Sequence, residues 1–234
     1  MKPSGLACAM WIVGLLCLPG APQAQQPAPN LAQAGALPPT IPLFPLQDAM
    51  LFPNMARPLH IFEPRYRAMV ADALEGDRII GMVMLRPGHE ADYEGRPPIY
   101  PIGCAGIITG SERLPDGRYN IVLHGLVKFR VTSEDQSRAY RLARVEAIPE
   151  VPDDDEREAL RGQRPRLTAA LAASAGKTAE PPPATLSDED LVNVLAQYLD
   201  LEPTDRQDLL EREGPLARSR ALIDLLELMV KLPR

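Results

Sequence analysis

Between residues 40 and 150 the apolar positions come in short runs of the kind that form strands. After residue 150 they recur every three or four residues, the period of a helix face. Leu43, Phe44 and Leu46 make a short apolar segment broken by prolines. Arg78–Leu85 (RIIGMVML) is a continuous apolar run of buried-strand type. Gly103–Glu112 and Tyr119–Leu126 flank Asp116-Gly117, and Asp-Gly between two such runs predicts a hairpin, because glycine accepts the positive φ of the turn. Val127–Thr132 and Arg141–Ile148 predict two further strands. One helix interrupts this region. Pro64 suits its first turn, Tyr66, Met69, Val70, Ala73 and Leu74 recur at helical spacing, and Gly76 ends it.

Composition changes after Pro149. An acidic stretch, residues 152–158 (PDDDERE), leads into sequence rich in Leu, Ala and Arg. The spacing predicts a helix over residues 154–175, broken or kinked at Pro165, then a connector over Ala179–Pro183. Ser187 with Asp190 three residues on resembles a capping box, and Leu191, Val194, Leu195, Tyr198 and Leu199 form one stripe behind it. Thr204 is placed to cap a short helix to Glu213, and Gly214-Pro215 breaks it. A last helix places Leu222, Leu225, Leu226 and Met229 on one face. The pattern therefore reads as α+β: a β-rich half with one inserted helix, followed by a small α-helical subdomain. There is no internal repeat.

The first residues have a different character. Lys2, the uncharged run Leu6–Leu18 and the small residues Gly20, Ala21 and Ala24 follow the three-part pattern of a secretory signal, with cleavage expected near Ala24. The run is too short to span a bilayer as a helix. Export to the periplasm or the medium is expected, with a retained N-terminal membrane anchor as the alternative and no stable anchor after cleavage. Neither Cys8 nor Cys17 has the context of a lipid attachment site. Residues 25–39 read as a flexible linker rich in Gln, Ala and Pro. The organisation expected is a signal peptide at 1–24, a linker at 25–39, a β domain at 40–150 and a helical subdomain at 151–234.

Twenty-six prolines among 234 residues favour short elements and irregular edges. The net charge is −6, which argues against a nucleic-acid or anionic-membrane partner held by bulk electrostatics. Without residues 1–24 only Cys104 remains, so no internal disulfide is expected, and its apolar flanks Ile102, Ala105, Ile107 and Ile108 place it in a core strand.

No catalytic, metal or cofactor constellation stands out. His60, His89 and His124 share no metal-ligand spacing, and the run Asp153–Glu156 lacks the glycine and spaced carboxylates of a calcium loop. Gly176-Lys177-Thr178 echoes the end of a phosphate-binding loop, but Leu171 stands where that loop needs glycine. Ser174-Ala175-Gly176 echoes the nucleophile segment of Lon-type proteases. The residues before it, Leu171–Ala173, do not match, and Lys177 and Lys231 lack the expected context.

The segment IPLFPLQDAMLFPNMARPLHIFEPRYRAMV, residues 41–70, resembles the opening of the Lon protease N-terminal, substrate-binding domain family. Its hallmarks are PLFPL at Pro42–Leu46, LFP at Leu51–Pro53 and IFEPRY at Ile61–Tyr66. The Gly103–Ile108 strand and Asp116–Val131 also fit, with Lys128 where many relatives carry arginine. The resemblance covers roughly residues 40–232. It implies a stand-alone member with a PUA-like β-barrel and a helical subdomain, both parts forming one such domain, without the ATPase and Ser/Lys peptidase modules of full Lon proteases. The motif residues are expected to be mainly structural. Phe44, Pro45, Leu46, Phe52, Pro53, Ile61 and Phe62 supply apolar bulk and turns, Pro64 starts the helix, Glu63 favours its positive end, and Arg65 and Tyr66 bond back to the barrel.

The function implied is non-catalytic binding of peptide or unfolded-protein segments, with no cofactor. One alternative is a peptidase-associated subunit or adaptor of an ATP-dependent protease. A second, by analogy of fold, is nucleic-acid binding, which the acidic charge disfavours.

Overall fold

The computed structural model describes residues 37–89, 92–93, 95–175, 183 and 185–231. The signal-like segment, most of the linker and Gly176-Lys177-Thr178 lie outside the described residues. Six strands and five helices follow in the order β1 (Thr40–Leu46), β2 (Ala56–Ile61), α1 (Pro64–Glu75), β3 (Ile79–Met84), β4 (Ile102–Arg113), β5 (Tyr119–Asp135), β6 (Arg141–Ile148), α2 (Asp154–Ala175), α3 (Asp188–Tyr198), α4 (Pro203–Glu211) and α5 (Gly214–Lys231). This is the expected α+β composition. No helix among the described residues is long and apolar enough to cross a membrane.

The sheet order is β2-β5-β4-β3-β1-β6, and β6 also pairs with β5. That last pairing closes five strands into a barrel and leaves β2 as an appended edge strand. β1 and β3 run parallel; the other pairs are antiparallel.

β1 runs through both of its prolines. Its first half, Thr40–Leu43, pairs with β6, and its second, Leu43–Leu46, pairs with β3. Each half has a partner on one side only, so Pro42 and Pro45 need not supply a ladder N–H.

The two strands expected over Tyr119–Leu126 and Val127–Thr132 are one strand, β5. Opposite β4 the register passes from Gly106↔Gly125 to Ala105↔Val127, so Leu126 is an extra residue, a β-bulge. The bulge bends β5 and lets it change partners. Tyr119–His124 pairs with β2, and Lys128–Asp135 pairs with β6. The hairpin is as expected: Gly117 has φ +82°, and Leu114 accepts a bond from its N–H at 2.9 Å.

The barrel interior is small and apolar, filled by Ile41, Leu43, Val83, Ala105, Phe129 and Ala143. The Phe129 ring takes the centre because glycine stands beside it. A Cβ on Gly103 would come within 2.3 Å of the Met82 carbonyl and 2.9 Å of the Phe129 ring. A larger core lies outside the barrel, where α1 and the helical half cover its walls with Met69, Val70, Leu167, Leu191, Leu222 and Ile223 among others.

The helices depart from expectation in detail. α2 is continuous from Asp154 to Ala175 with Pro165 inside it. Ser187 does cap α3, its hydroxyl accepting from Asp190 N–H at 3.0 Å. The buried face of α3 is not the predicted stripe, however: Leu191, Val192, Asn193, Ala196 and Gln197 are buried, while Tyr198 is 57% exposed. α4 begins at Pro203 with Glu202 before it, so Thr204 lies inside the first turn. On α5, Leu222 and Leu226 are buried as expected, but Met229 is exposed and Arg218, Ser219 and Ile223 take part in the buried face.

Candidate functional site

The loop from Leu51 to Met55 crosses the bulge of β5. Asn54 donates its N–H to the Gly125 carbonyl at 2.9 Å, and Gly125 donates to the Met55 carbonyl at 2.8 Å. A Cβ on Gly125 would lie 2.1 Å from the Phe52 carbonyl, so the two backbones approach this closely only because 125 is glycine. Leu51 and Phe52 are buried.

Polar residues of the helical half hold this loop. Gln197 accepts the Phe52 N–H at 3.0 Å and donates to the Ala56 carbonyl at 3.1 Å. Asn193 donates to the Pro53 carbonyl at 3.0 Å, and Asn54 donates to Asp190 at 3.1 Å. Arg218 is 0% exposed and sits behind them. It donates to the Asn193 side-chain oxygen at 2.6 Å, to the Leu209 carbonyl at 3.0 Å and to both oxygens of Glu150 at 2.7 and 3.0 Å. Its guanidinium also lies 5.4 Å from the centroid of the Phe52 ring. Lys128, itself buried, completes the cluster, 2.8 Å from Glu150 and bonded to the Arg212 carbonyl at 2.6 Å. Lys128 is thus a structural cation at the seam between barrel and helices.

In this network the two cations, Lys128 and Arg218, share the single carboxylate of Glu150. Charges buried in such a setting are costly to orphan and hold the two halves in one arrangement. Sequence reading missed Asn193, Gln197, Arg218 and Glu150. Position 218 did carry a signal: it lies four residues before Leu222 and eight before Leu226, on the apolar face of its helix.

The Ile61–Tyr66 turn is organised differently. Ile61 and Tyr66 are buried, and the Tyr66 ring meets Phe44 edge-on at 4.6 Å. Pro64 occupies the first turn of α1 as expected. Glu63 makes no capping bond through its side chain. Its carboxylate instead accepts from Arg65 Nε at 3.0 Å and from the Tyr93 hydroxyl at 2.8 Å. Arg65 lies over both the Tyr66 and Tyr93 rings, at 4.7 and 5.0 Å, and donates to the Tyr93 carbonyl at 3.1 Å. Burial pushes the Tyr66 and Tyr93 phenols up, so both keep their protons.

These contacts enclose a cavity of about 200 Å³ lined by Arg65, Tyr66, Tyr93, Arg96, Tyr140 and Arg141, with Pro45, Leu85 and Pro97 as its apolar parts. Of the remaining motif residues, Pro45 and Leu46 belong to β1, with Leu46 packed against the larger core.

Phe62 does not supply core bulk. It is 60% exposed, its ring stacked beside His60 with centroids 6.3 Å apart. His60 is itself fixed: its Nδ1 is 2.7 Å from the Asn120 side-chain oxygen, and Arg118 approaches its Nε2 at 3.3 Å. Because Arg118 can only donate, Nε2 accepts and Nδ1 carries the proton. Next to this pair a shallow, mainly apolar groove of about 550 Å³ runs over Pro58, Leu59, His60, Gly110, Ile121 and Val122. One wall is β2, whose other edge pairs with no named strand.

Leu171 and Ser174 lie in α2, where the Ser174 hydroxyl bonds back to the Leu171 carbonyl at 3.0 Å. Cys104 is fully buried in β4, and burial raises its thiol pKa. Among the described residues no group of three His, Cys, Asp or Glu side chains is placed to hold a metal ion.

The chain matches the model of the ATP-dependent protease La (LON) substrate-binding domain over residues 40–227. It is 32% identical over 200 residues to a Lon protease of Trichlorobacter lovleyi, covering 81% of this chain and 24% of that protein. It is 27% identical over 214 residues to Lon protease 2 of Myxococcus xanthus, covering 88% of this chain and 25% of that protein. The chain therefore spans about a quarter of the length of the curated relatives it matches.

In fold it is similar to the N-terminal domain of a Mycobacterium avium complex Lon protease. The TM-score is 0.61 at 19% identity, over 80% of this chain and 98% of that one. A Lon N-terminal domain protein from Xanthomonas campestris matches with TM-score 0.52 at 22% identity, over 80% of this chain and 97% of that one. The closed barrel with appended helices is thus the expected PUA-like architecture of Lon N-terminal domains. A profile match across most of the chain, motifs seated at structural joints and the shared fold agree: the chain belongs to the Lon substrate-binding domain family.

Proposed function

We propose that this protein is a non-catalytic binding module for extended or unfolded polypeptide segments, and that the face formed by Phe62, His60 and the β2 groove takes them. The observation that carries this reading is the 60% exposure of Phe62 in a family motif whose other aromatic residues, Phe44, Phe52 and Tyr66, are buried. A large apolar side chain held at the surface beside an apolar groove is the usual composition of a protein-contact site. An edge strand offers backbone groups to an extended chain, although Pro58 removes one donor from that edge. Family membership supports the same class of partner, since the matched region is named for substrate binding.

The test is a fluorescence-anisotropy titration of a labelled, permanently unfolded polypeptide. Saturable binding that is weakened at least tenfold by Phe62→Ser supports the reading. Binding that is absent, or indifferent to Phe62→Ser, removes it. Casein digestion by the purified protein, with and without ATP, tests for a peptidase, and clear cleavage would overturn the non-catalytic reading.

The first 24 residues support export as part of the same proposal. N-terminal sequencing of the protein from fractionated cells tests it. A start near Gln25 outside the cytoplasm is the expected result, and an intact Met1 in the cytosol overturns it.

A further inference from the structure

The outer edge of β2 pairs with no named strand. The sheet register fixes which of its backbone groups point that way. In an antiparallel pair, residues that exchange both backbone bonds with the partner alternate with residues whose N–H and C=O point away from it. Gly125 donates to the Met55 carbonyl at 2.8 Å, one step beyond the Ala56↔His124 pair. Along that ladder Arg57, Leu59 and Ile61 bond to β5, and Ala56, Pro58 and His60 turn their backbone groups outward.

Two other features agree with this alternation. Pro58 has no N–H, and it takes an outward position where β5 asks for none. The Ala56 carbonyl is met from the outer side by α3, accepting from Gln197 at 3.1 Å and from the Tyr198 hydroxyl at 2.5 Å.

α3 thus closes the edge at Ala56. Beyond it, the Pro58 carbonyl and both the N–H and the carbonyl of His60 have no protein partner among the described residues. Two acceptors and one donor in a row are a template for an added strand. Run in either direction, an incoming chain meets them with one C=O and with N–H groups on two residues that are two apart. The open stretch is short and carries a proline, and both features disfavour pairing with the sheet of a second copy. A single extended segment needs no more room than this.

The sheet face beside that edge is low and apolar. Pro58 lies opposite Val122, and Val122 opposite Gly110, which has no side chain to raise the surface. Every second side chain of an added strand stands beside Pro58 on this face, where a long apolar one leans over Val122.

We infer that β2 takes a short extended polypeptide segment as an added strand, held by the backbone of Pro58 and His60. This rests on the function proposed above and adds how the segment is held: by its N–H groups, so that proline is excluded from two alternate positions.

The probe is a hexapeptide of alternating leucine and serine, blocked at both ends and titrated into the whole chain. Amide hydrogen exchange and chemical shifts are the readouts. In the free protein the His60 amide is expected to exchange fast and the Leu59 and Ile61 amides slowly. Saturating peptide should slow His60 at least tenfold. N-methylation of the peptide separates backbone pairing from side-chain contact. Methylating one alternate set of residues should weaken binding at least tenfold, and methylating the other should leave it within twofold. In an antiparallel addition the donating residues carry the side chains that share the Pro58 face, so the leucine set is the sensitive one. In a parallel addition it is the serine set.

Absent hexapeptide binding, equal effects of the two methylated sets, or a bound peptide that leaves His60 in fast exchange overturns the inference. Protection of His60 in the free protein that rises with protein concentration gives the edge to a second copy and overturns it as well. Where strand addition fails while unfolded-chain binding still depends on Phe62, the function proposed above stands. Selective loss on methylation that is indifferent to Phe62→Ser keeps the added strand and removes the Phe62 face.

Discussion

Two phenylalanines ten residues apart occupy opposite environments within one family motif. Phe52 is 0% exposed, and its backbone N–H and the neighbouring Pro53 and Ala56 carbonyls are bonded by side chains that lie about 140 residues further along the chain. Phe62 is 60% exposed, and its ring neighbour is a surface histidine. The first region is a joint, where barrel, loop and helices are fixed together by a buried polar network. The second is a face, where the same fold holds apolar surface out to solvent. The contrast separates what the motif does for the fold from what it offers to a partner.

Substitutions should divide along that line. Arg218→Ala is expected to have the largest effect. It strips partners from Glu150, Asn193 and the Leu209 carbonyl inside the protein, and breaking a buried pair of this kind costs about 3–5 kcal/mol. Urea denaturation should show the midpoint collapse; a shift below about 1 kcal/mol would mean water replaces the guanidinium readily. Phe52→Ala should cost a comparable or slightly smaller amount, about 3–4 kcal/mol, as a buried ring is lost and a cavity opens. Gln197→Ala leaves the Phe52 N–H and one bond to the Ala56 carbonyl unmade, for about 1–3 kcal/mol by thermal or chemical unfolding. At the other end, Phe62→Ser should change stability by less than about 0.5 kcal/mol, as surface substitutions do, while lowering polypeptide binding. A destabilisation by Phe62→Ser equal to that of Phe52→Ala would erase the distinction between joint and face.

Local signals in the sequence were sufficient for local structure. Asp116-Gly117 marks its hairpin, Pro64 opens α1 and Ser187 caps α3, because each rests on backbone preferences that need no distant partner. The continuous β5 was not legible as one strand. Its bulge at Leu126 depends on the register with β4 and on the Leu51–Met55 loop crossing at Gly125.

The buried face of α3 misled for a related reason. An apolar stripe assigns Tyr198 inward and Asn193 outward. The loop backbone at Phe52, Pro53 and Ala56 needs donors and an acceptor, and Asn193 and Gln197 turn inward to meet that need. The family motif itself was plain in the sequence. The division of its residues between joint, cavity and face depends on side chains far along the chain, which no window around residues 41–70 contains.

Hydrogen exchange in the presence of a permanently unfolded polypeptide distinguishes the binding face from the buried joint, because it reads every region at once. New protection is expected in residues 56–62 and along the β4–β5 hairpin at 110–122, with the seam around Phe52 and Arg218 already slow and unchanged. Saturating ligand that leaves residues 56–62 and 110–122 unprotected, or protects only the helical half, would contradict it.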